Sequence, residues 1–326
     1  MMNVKGLAEI RLDEIVQERT FDFFIGYICG EARSIHVFAH AHQVCENKIV
    51  LRENIAGDTQ AKLPRKNWLK KEDQINVIFH DDDLDTALLE CEIENRIENV
   101  AAAKEVISIL LDISSMPRSV MASVMAIIHD LAETRRIDLT VAYCLAKYTA
   151  PVEHKFANKT VRPVHSHFTG FTVDAGLPVA AIVGLGYEKG KALGAVEYIQ
   201  SSDWWIFVPT SAETRYSKKV DEHNQTILKA ISDTRRFEYS IHSPLLTVSQ
   251  LESLVSNLVS SRKPILLPFG PKIFFFCSLL VSLVHRNCAV WDVVGETPAV
   301  KADVSLSADI TCLSFSLEVL DTETIA

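Results

Sequence analysis

The sequence predicts an α/β protein built from two Rossmann-like parallel-sheet halves, with antiparallel strands at a C-terminal edge. Three observations carry that expectation. Short apolar runs of strand length alternate with helical stretches, as in repeated β-α-β units. In the second half those runs are almost wholly apolar, as in strands covered on both faces. The two halves also echo one another at their strand-to-helix turns, which points to an internal duplication.

In the first half, 1–153, the strand candidates are 21–27, 75–80, 107–113 and 139–144. Residues 118–134 place Val120, Met121, Val124, Ile127, Ile128 and Leu131 near one face of a helix. The segment 46–73 differs. It is polar, holds Gly57 and Pro64, and carries a basic cluster at Arg65, Lys66, Lys70 and Lys71. It reads as an excursion with room for a hairpin, its cations forming a solvated face or a docking patch. Residues 154–177 lack periodicity, contain Pro163, Gly170 and Gly176, and read as the join.

The second half, 178–326, has strand candidates at 179–183, 204–208, 237–242, 264–268 and 289–294. Its helices are expected over 189–199, 218–231, 249–260 and 272–285. After Val300 the pattern alternates through Val304, Leu306, Ala308, Ile310, Cys312 and Phe315, as in one or two antiparallel strands closing an edge. The apolar stretch 264–284 is not read as a membrane helix. Pro268, Gly270, Pro271 and Lys272 break it in its first half.

The chain has 326 residues, room for one large or two ordinary domains, and an apolar fraction of 48% with 23% charged residues, as in folded globular proteins. The net charge is −9 with no long cationic run, which argues against direct nucleic-acid binding. Seven cysteines, an odd count without a C-x-x-C pair, fit buried thiols in a reducing compartment better than a disulfide framework. Residues 1–13 lack the apolar stretch of a signal peptide. A soluble, cytoplasmic protein is expected.

The echo is specific in its residues. The first strand of the first half ends in Gly26-Tyr27, followed by Gly30, Glu31, Arg33 and Ser34. That of the second half ends in Gly184-Leu185-Gly186-Tyr187-Glu188, followed by Gly190, Lys191 and Gly194. Later in each half a strand runs into a proline and a cation. These are Asp112-Ile113-Ser114-Ser115-Met116-Pro117-Arg118 and Pro268-Phe269-Gly270-Pro271-Lys272. Proline suits the first helical turn. A cation there runs against the helix dipole, and makes sense beside an anion or a neighbouring carboxylate. All four loops would lie at the carboxyl ends of strands, where open α/β sheets bind ligands.

Gly184 to Gly190 is spaced G-x-G-x-x-x-G, one residue longer than the dinucleotide fingerprint. The next strand ends without a ribose-binding acid. Thr210, Ser211 and Arg215 stand there and could hold a phosphate instead. A P-loop is excluded, because Leu185 and Ala192 occupy its required glycine and hydroxyl positions. Ser114 and Ser115 lack the glycines of a nucleophile elbow. Glu31 and Glu188 are the acid–base candidates, unless they only stabilise helix starts. No metal site is read from His36, His40 and His42, from His165 and His167, or from His80 with Asp81, Asp82, Asp83 and Asp85.

At Gly26-Tyr27, Glu31, Arg33-Ser34, Asp112 to Arg118, Gly184 to Gly194 and Pro268 to Lys272 the chain resembles poorly characterised bacterial proteins of anti-phage defence gene clusters. The resemblance covers most of the chain. It implies a cytoplasmic component of a multi-gene system, a sensor or effector of a nucleotide. It departs at Ile28-Cys29-Gly30, where the acid is expected directly after Tyr27.

Three functions follow from these residues. The first is a nucleotide- or phosphate-responsive binding protein. Gly184, Gly186, Gly190 and Lys191 would contact phosphate, and Arg118 and Lys272 would supply charge. Gly26, Tyr27, Ser114, Ser115, Tyr187, Thr210, Arg215 and Gly270 would line the sites. The second is a nucleotide-processing enzyme acting through Glu188 or Glu31. The third is a non-catalytic interaction module docking through 46–73 to a protein partner or to a second copy. The sequence names no cofactor.

Overall fold

The computed structural model describes residues 2–29, 31–53, 75–80, 86–148, 158–170, 176–211, 213–295 and 306–319. They fall into two compact units, Met1–Lys147 with Ala302–Ala326, and Tyr148–Lys301.

The first unit begins with β1 (Met2–Ile10), α1 (Leu12–Glu18) and β2 (Phe21–Ile28). A 3-10 turn at Ala32–Ile35 leads into α2 (His36–Ala41), then β3 (Cys45–Glu53), β4 (Ile75–His80) and α3 (Thr86–Ala101). There follow β5 (Val106–Asp112), α4 (Arg118–Ala132) and β6 (Arg136–Ala146). The final strand of the chain, β13 (Leu306–Val319), returns to this sheet. The spatial order is β1-β13-β6-β5-β2-β3-β4, with β2 to β6 parallel and β13 antiparallel to its neighbours β6 and β1.

Burial explains the composition of this layer. Phe23, Phe24 and Ile25 of β2 and Ile109, Leu110 and Leu111 of β5 are each 1% exposed or less, so both faces of the sheet are covered. Helix α4 has twelve of its fifteen residues buried and is a core helix, not an amphipathic cover. On α2, Phe38 meets Phe24 edge-on with ring centroids 5.1 Å apart.

The second unit contains β7 (Asn158–Pro163), a 3-10 turn at Ser166–Phe168, β8 (Val179–Gly184) and α5 (Lys191–Tyr198). Next come β9 (Asp203–Thr210), α6 (Thr214–Ala230), β10 (Arg236–Ser240) and α7 (Pro244–Leu258). The unit closes with β11 (Lys263–Pro268), α8 (Lys272–Val284) and β12 (Ala289–Gly295). The sheet order is β10-β9-β8-β11-β12-β7, with only β7 antiparallel.

Numbered by appearance, the parallel strands of each unit stand in the order 3-2-1-4-5. The direction of build reverses between β2 and β5 in the first unit and between β8 and β11 in the second. The registers agree as well: Gly26 pairs with Asp112, and Gly184 pairs with Pro268. The echo in the sequence is carried by topology and register together.

The apolar stretch 264–284 is β11, a short loop and α8. At about 1.5 Å per residue, the 13 residues of α8 span about 20 Å, well short of a roughly 30 Å hydrocarbon core. Phe274, Phe275 and Phe276 are fully buried inside the unit. The Phe274 ring lies 5.6 Å from that of Phe207 and 4.6 Å from that of Tyr239, centroid to centroid. Among the described residues no helix is long and apolar enough to cross a membrane.

Several expectations are corrected. The C-terminal alternating segment does not belong to the second half: β13 pairs with β6 and β1 of the first sheet, Phe315 opposite Leu139. The expected polar excursion does not begin at 46, because residues 46–53 lie within β3, paired on both sides by β2 and β4. Within the join, Asn158–Pro163 forms the edge strand β7. Pro117 and Pro271 are N-caps and not first-turn residues. Their φ, ψ pairs of −59°, 150° and −55°, 151° set the chain just before the helix. The basic cluster and the rest of the expected excursion, together with Gly30 and residues 81–85, lie outside the described residues.

Candidate functional site

In the second unit the loop after β8 runs from Leu185 through Gly190 into α5, and the loop after β11 runs from Phe269 through Pro271 into α8. They meet at the strand-order reversal, the place where open α/β sheets hold ligands. Phe269 N–H donates to the Gly184 carbonyl at 2.9 Å, and Leu185 N–H donates to the Phe207 carbonyl at 2.9 Å. A Cβ on Gly186 would stand 2.6 Å from the Phe269 carbonyl oxygen and would overlap the Glu188 carboxylate. One on Gly270 would stand 2.6 Å from the Tyr239 hydroxyl and 2.8 Å from the Leu185 carbonyl oxygen. These two glycines exist for close approach. Gly190 instead sits in open space at φ +76°, the left-handed N-cap of α5.

Helix α6 grips the first loop from the side. Buried Asn224 donates its amide to the Gly186 carbonyl at 2.7 Å and to the Val220 carbonyl at 2.8 Å. His223 Nδ1 donates to the Tyr187 carbonyl. Neither residue was expected from the sequence. The available signal was an amide side chain between Val220 and Ile227 on the apolar stripe of a helix.

Above this braced backbone the Tyr187 ring is 37% exposed and meets Tyr216 edge-on, with centroids 5.9 Å apart and planes at 90°. Half-buried Glu188 turns its carboxylate back over Gly186. Lys191 and Lys272, both half-buried, are the first residues of α5 and α8.

Thr210 and Arg215 do not join this group. The Thr210 hydroxyl donates to the Tyr239 carbonyl at 3.1 Å and ties β9 to β10. Arg215 binds Glu213 through two bonds of 2.8 Å and lies 5.3 Å above the Tyr148 ring. Its hydrogen bonds pull the Glu213 carboxyl down to about 2. All three expected phosphate ligands are engaged by the chain's own groups, the Ser211 hydroxyl accepting Glu213 N–H at 3.2 Å.

The first unit fills the equivalent crevice with its own side chains. Ser114 is fully buried. Its hydroxyl accepts from Cys144 N–H at 2.8 Å and donates to Asp112 Oδ1, which also accepts Ser114 N–H at 2.9 Å. The Ser115 hydroxyl donates to the Tyr27 carbonyl. Tyr27 is 4% exposed, and a Cβ on Gly26 would press on the Phe24 ring and stand 3.5 Å from the Asp112 Cβ. The ligand roles expected for Gly26, Tyr27, Ser114 and Ser115 therefore give way to structural ones. Arg118 is the half-buried first residue of α4.

Glu31 has a partner of its own. Arg33, 7% exposed, places Nε 2.7 Å from Glu31 Oε2 and Nη1 3.4 Å from the Cys144 carbonyl oxygen. Burial works against the Arg33 charge, but Tyr143 and Glu31 outweigh it and raise the guanidinium pKa. Burial also raises the Tyr143 phenol. Glu31 thus holds a buried arginine, while among the described residues no hydrogen-bond or ion-pair partner faces the Glu188 carboxylate. The two acids read as an acid–base pair lie in different units.

The other groups read from sequence are local. The His36 and His40 rings meet edge-on at 4.5 Å. His165 Nδ1 accepts His167 N–H at 3.1 Å around the 3-10 turn, so these two do not share a strand face. All seven cysteines are free thiols, and Cys45, Cys144, Cys277, Cys288 and Cys312 are buried. Burial pushes Cys144 up to about 12, with Asp112 adding to it.

No known protein family matches this chain, and no curated protein matches it. Among solved structures, a functionally unknown protein from Pseudomonas aeruginosa PAO1 aligns over 86% of this chain and 94% of its own, at 9% identity and a TM-score of 0.26. A candidate universal stress protein from Pseudomonas aeruginosa UCBPP-PA14 aligns over 84% and 94%, at 9% identity and a TM-score of 0.26. At that TM-score neither likeness bears on function.

Proposed function

We propose that the second unit binds a nucleotide or other phosphorylated small molecule at the reversal between β8 and β11. The chain then acts as a ligand-responsive sensor or effector of a bacterial defence-type system; that setting rests on the resemblance alone.

The observation that carries the binding reading is the meeting of two loops at Gly186 and Gly270, where neither position has room for a side chain. Glycine at both positions lets the two loops pack backbone to backbone, so that the helices they lead into both start at the strand-order reversal. Each loop then opens a helix whose first residue is a lysine, Lys191 or Lys272. A helix start favours an anion, and a lysine there adds positive charge at the same end.

Mass spectrometry of small molecules released from the freshly purified, denatured protein is the first test, followed by calorimetric titration with the molecule found and with inorganic phosphate. Lys272→Ala is expected to weaken binding roughly tenfold, as loss of one charge-assisted contact does, and to leave the circular dichroism unchanged. Equal affinity in wild type, Lys272→Ala and Lys191→Ala would sink the reading.

A further inference from the structure

We propose that the ligand of the second unit is a ribonucleotide, with its base stacked on the Tyr187 ring and its ribose hydroxyls bonded to the Glu188 carboxylate. This rests on the phosphate reading above and adds what that reading leaves open, the chemical class of the ligand.

Tyr187 is a solvent-facing aromatic on a glycine-bearing loop, a setting that ordinarily leaves a ring free to turn. Here Tyr216 braces the ring, and α6 holds the backbone that carries it. Tyr216 meets it at 90° with centroids 5.9 Å apart. His223 holds its carbonyl, and Asn224 holds the carbonyl before it at 2.7 Å. Tyr216 is itself set in the first turn of α6, its N–H donating to the Glu213 carbonyl at 3.0 Å. A ring held this way loses little freedom when a flat partner lies on its solvent-exposed surface. Base stacking on such a ring raises affinity roughly tenfold.

The neighbouring residue supplies the second element. An ionised carboxylate only accepts hydrogen bonds, and its two oxygens match the two hydroxyls of a ribose. Dinucleotide folds place that acid at the end of the second strand. Here β9 ends in Thr210, whose hydroxyl is committed to Tyr239. Glu188 takes the role from the first loop, its carboxylate folded over Gly186. Along the chain Tyr187, Glu188 and Lys191 then follow the order base, sugar, phosphate.

Full-length protein would be titrated by calorimetry with adenosine 5′-monophosphate, its 2′-deoxy analogue, ribose 5-phosphate and inorganic phosphate, with folding of each variant checked by circular dichroism. The ribonucleotide should bind about tenfold tighter than the deoxy analogue, and Glu188→Gln should erase that ratio. Tyr187→Ala should weaken the ribonucleotide about tenfold and leave ribose 5-phosphate unchanged, while Tyr187→Phe keeps the wild-type values. Equal ribo and deoxy affinities, with binding still lost in Lys272→Ala, would overturn the ribose assignment and spare the phosphate reading. A Tyr187→Ala loss equal for nucleotide and ribose 5-phosphate would overturn the stacking. Absence of binding by all four probes would overturn both.

Discussion

In the first unit Gly26 pairs with Asp112, and in the second Gly184 pairs with Pro268. From those matched rungs the units diverge. Five residues separate β5 from α4, and three separate β11 from α8. The longer loop carries two serines that turn inward onto Asp112 and Tyr27. The shorter one carries Gly270, pressed on the Leu185 carbonyl. One acid, Glu31, is tied to buried Arg33, and its counterpart Glu188 lies over a glycine. The same scaffold thus places a crevice twice. Its residues tie one together with serine and carboxylate hydrogen bonds and close-pack the other through glycines. Fold fixes where a site can be, and side chains decide whether one exists.

The largest way to break that contrast is Arg33→Met. It strands Glu31 beside a buried surface, and cutting a pair of this kind costs about 3 kcal/mol. Hydrogen exchange should speed up in β2, β5 and β6, while peptides of β8 and β11 keep their protection. Unchanged exchange in the first unit would mean the pair is ornamental.

Asp112→Ala should follow, at about 2 kcal/mol, because it leaves the Ser114 N–H and hydroxyl buried without their acceptor. Its effect should also stay within the first unit, and ligand affinity in the second should not move. A drop in affinity would show that the filled crevice is not merely structural.

Asn224→Ala sharpens the contrast from the other side. It removes both amide bonds beneath the Gly186 loop, for about 1–2 kcal/mol. Exchange should rise around 184–190 and ligand affinity should fall, with β2 and β5 unaffected. Wild-type affinity in that variant would remove α6 from the site.

The smallest effect expected is at Asp22, at the opposite end of β2. Burial alone would raise its carboxyl. The Lys104 ammonium, Ser108 N–H at 2.7 Å and the Ser108 hydroxyl at 2.9 Å outweigh it and hold the pKa below the ordinary 3.8. A lowered carboxyl pKa gives stability that is complete above 3.8 and is lost as pH falls through the lowered value. Lys104 is partly exposed, so the gain is about 1 kcal/mol or less. The urea midpoint should fall less between pH 5 and pH 3 in Asp22→Asn than in wild type.

How much of this was legible varied with how local the cause was. Strands β8, β9 and β11 were legible from apolar runs, since burial on both faces leaves few polar positions. Strand β3 was not. Its sequence CENKIVLRE carries charges at Glu46, Lys48, Arg52 and Glu53, and it is an interior strand only because β2 and β4 flank it. The glycines of the second crevice were legible because close approach demands the smallest residue. Asn224 and His223 were not, because their targets are carbonyls 38 and 36 residues away.

By itself the sequence determined the α/β class, the repeated strand-to-helix turns and the glycine loop that starts at Gly184. Those are set by short-range rules of periodicity and backbone freedom. Only the tertiary structure decided that β13 enters the first sheet between β1 and β6, that Ser114 and Thr210 serve the backbone, and that Glu31 and Glu188 have different tasks. Alternation shows which face of a strand is buried but not which strand will pair with it. A hydroxyl or carboxylate shows what it can bond but not which partner lies within 3 Å, because that partner is set by burial of chain far away in sequence.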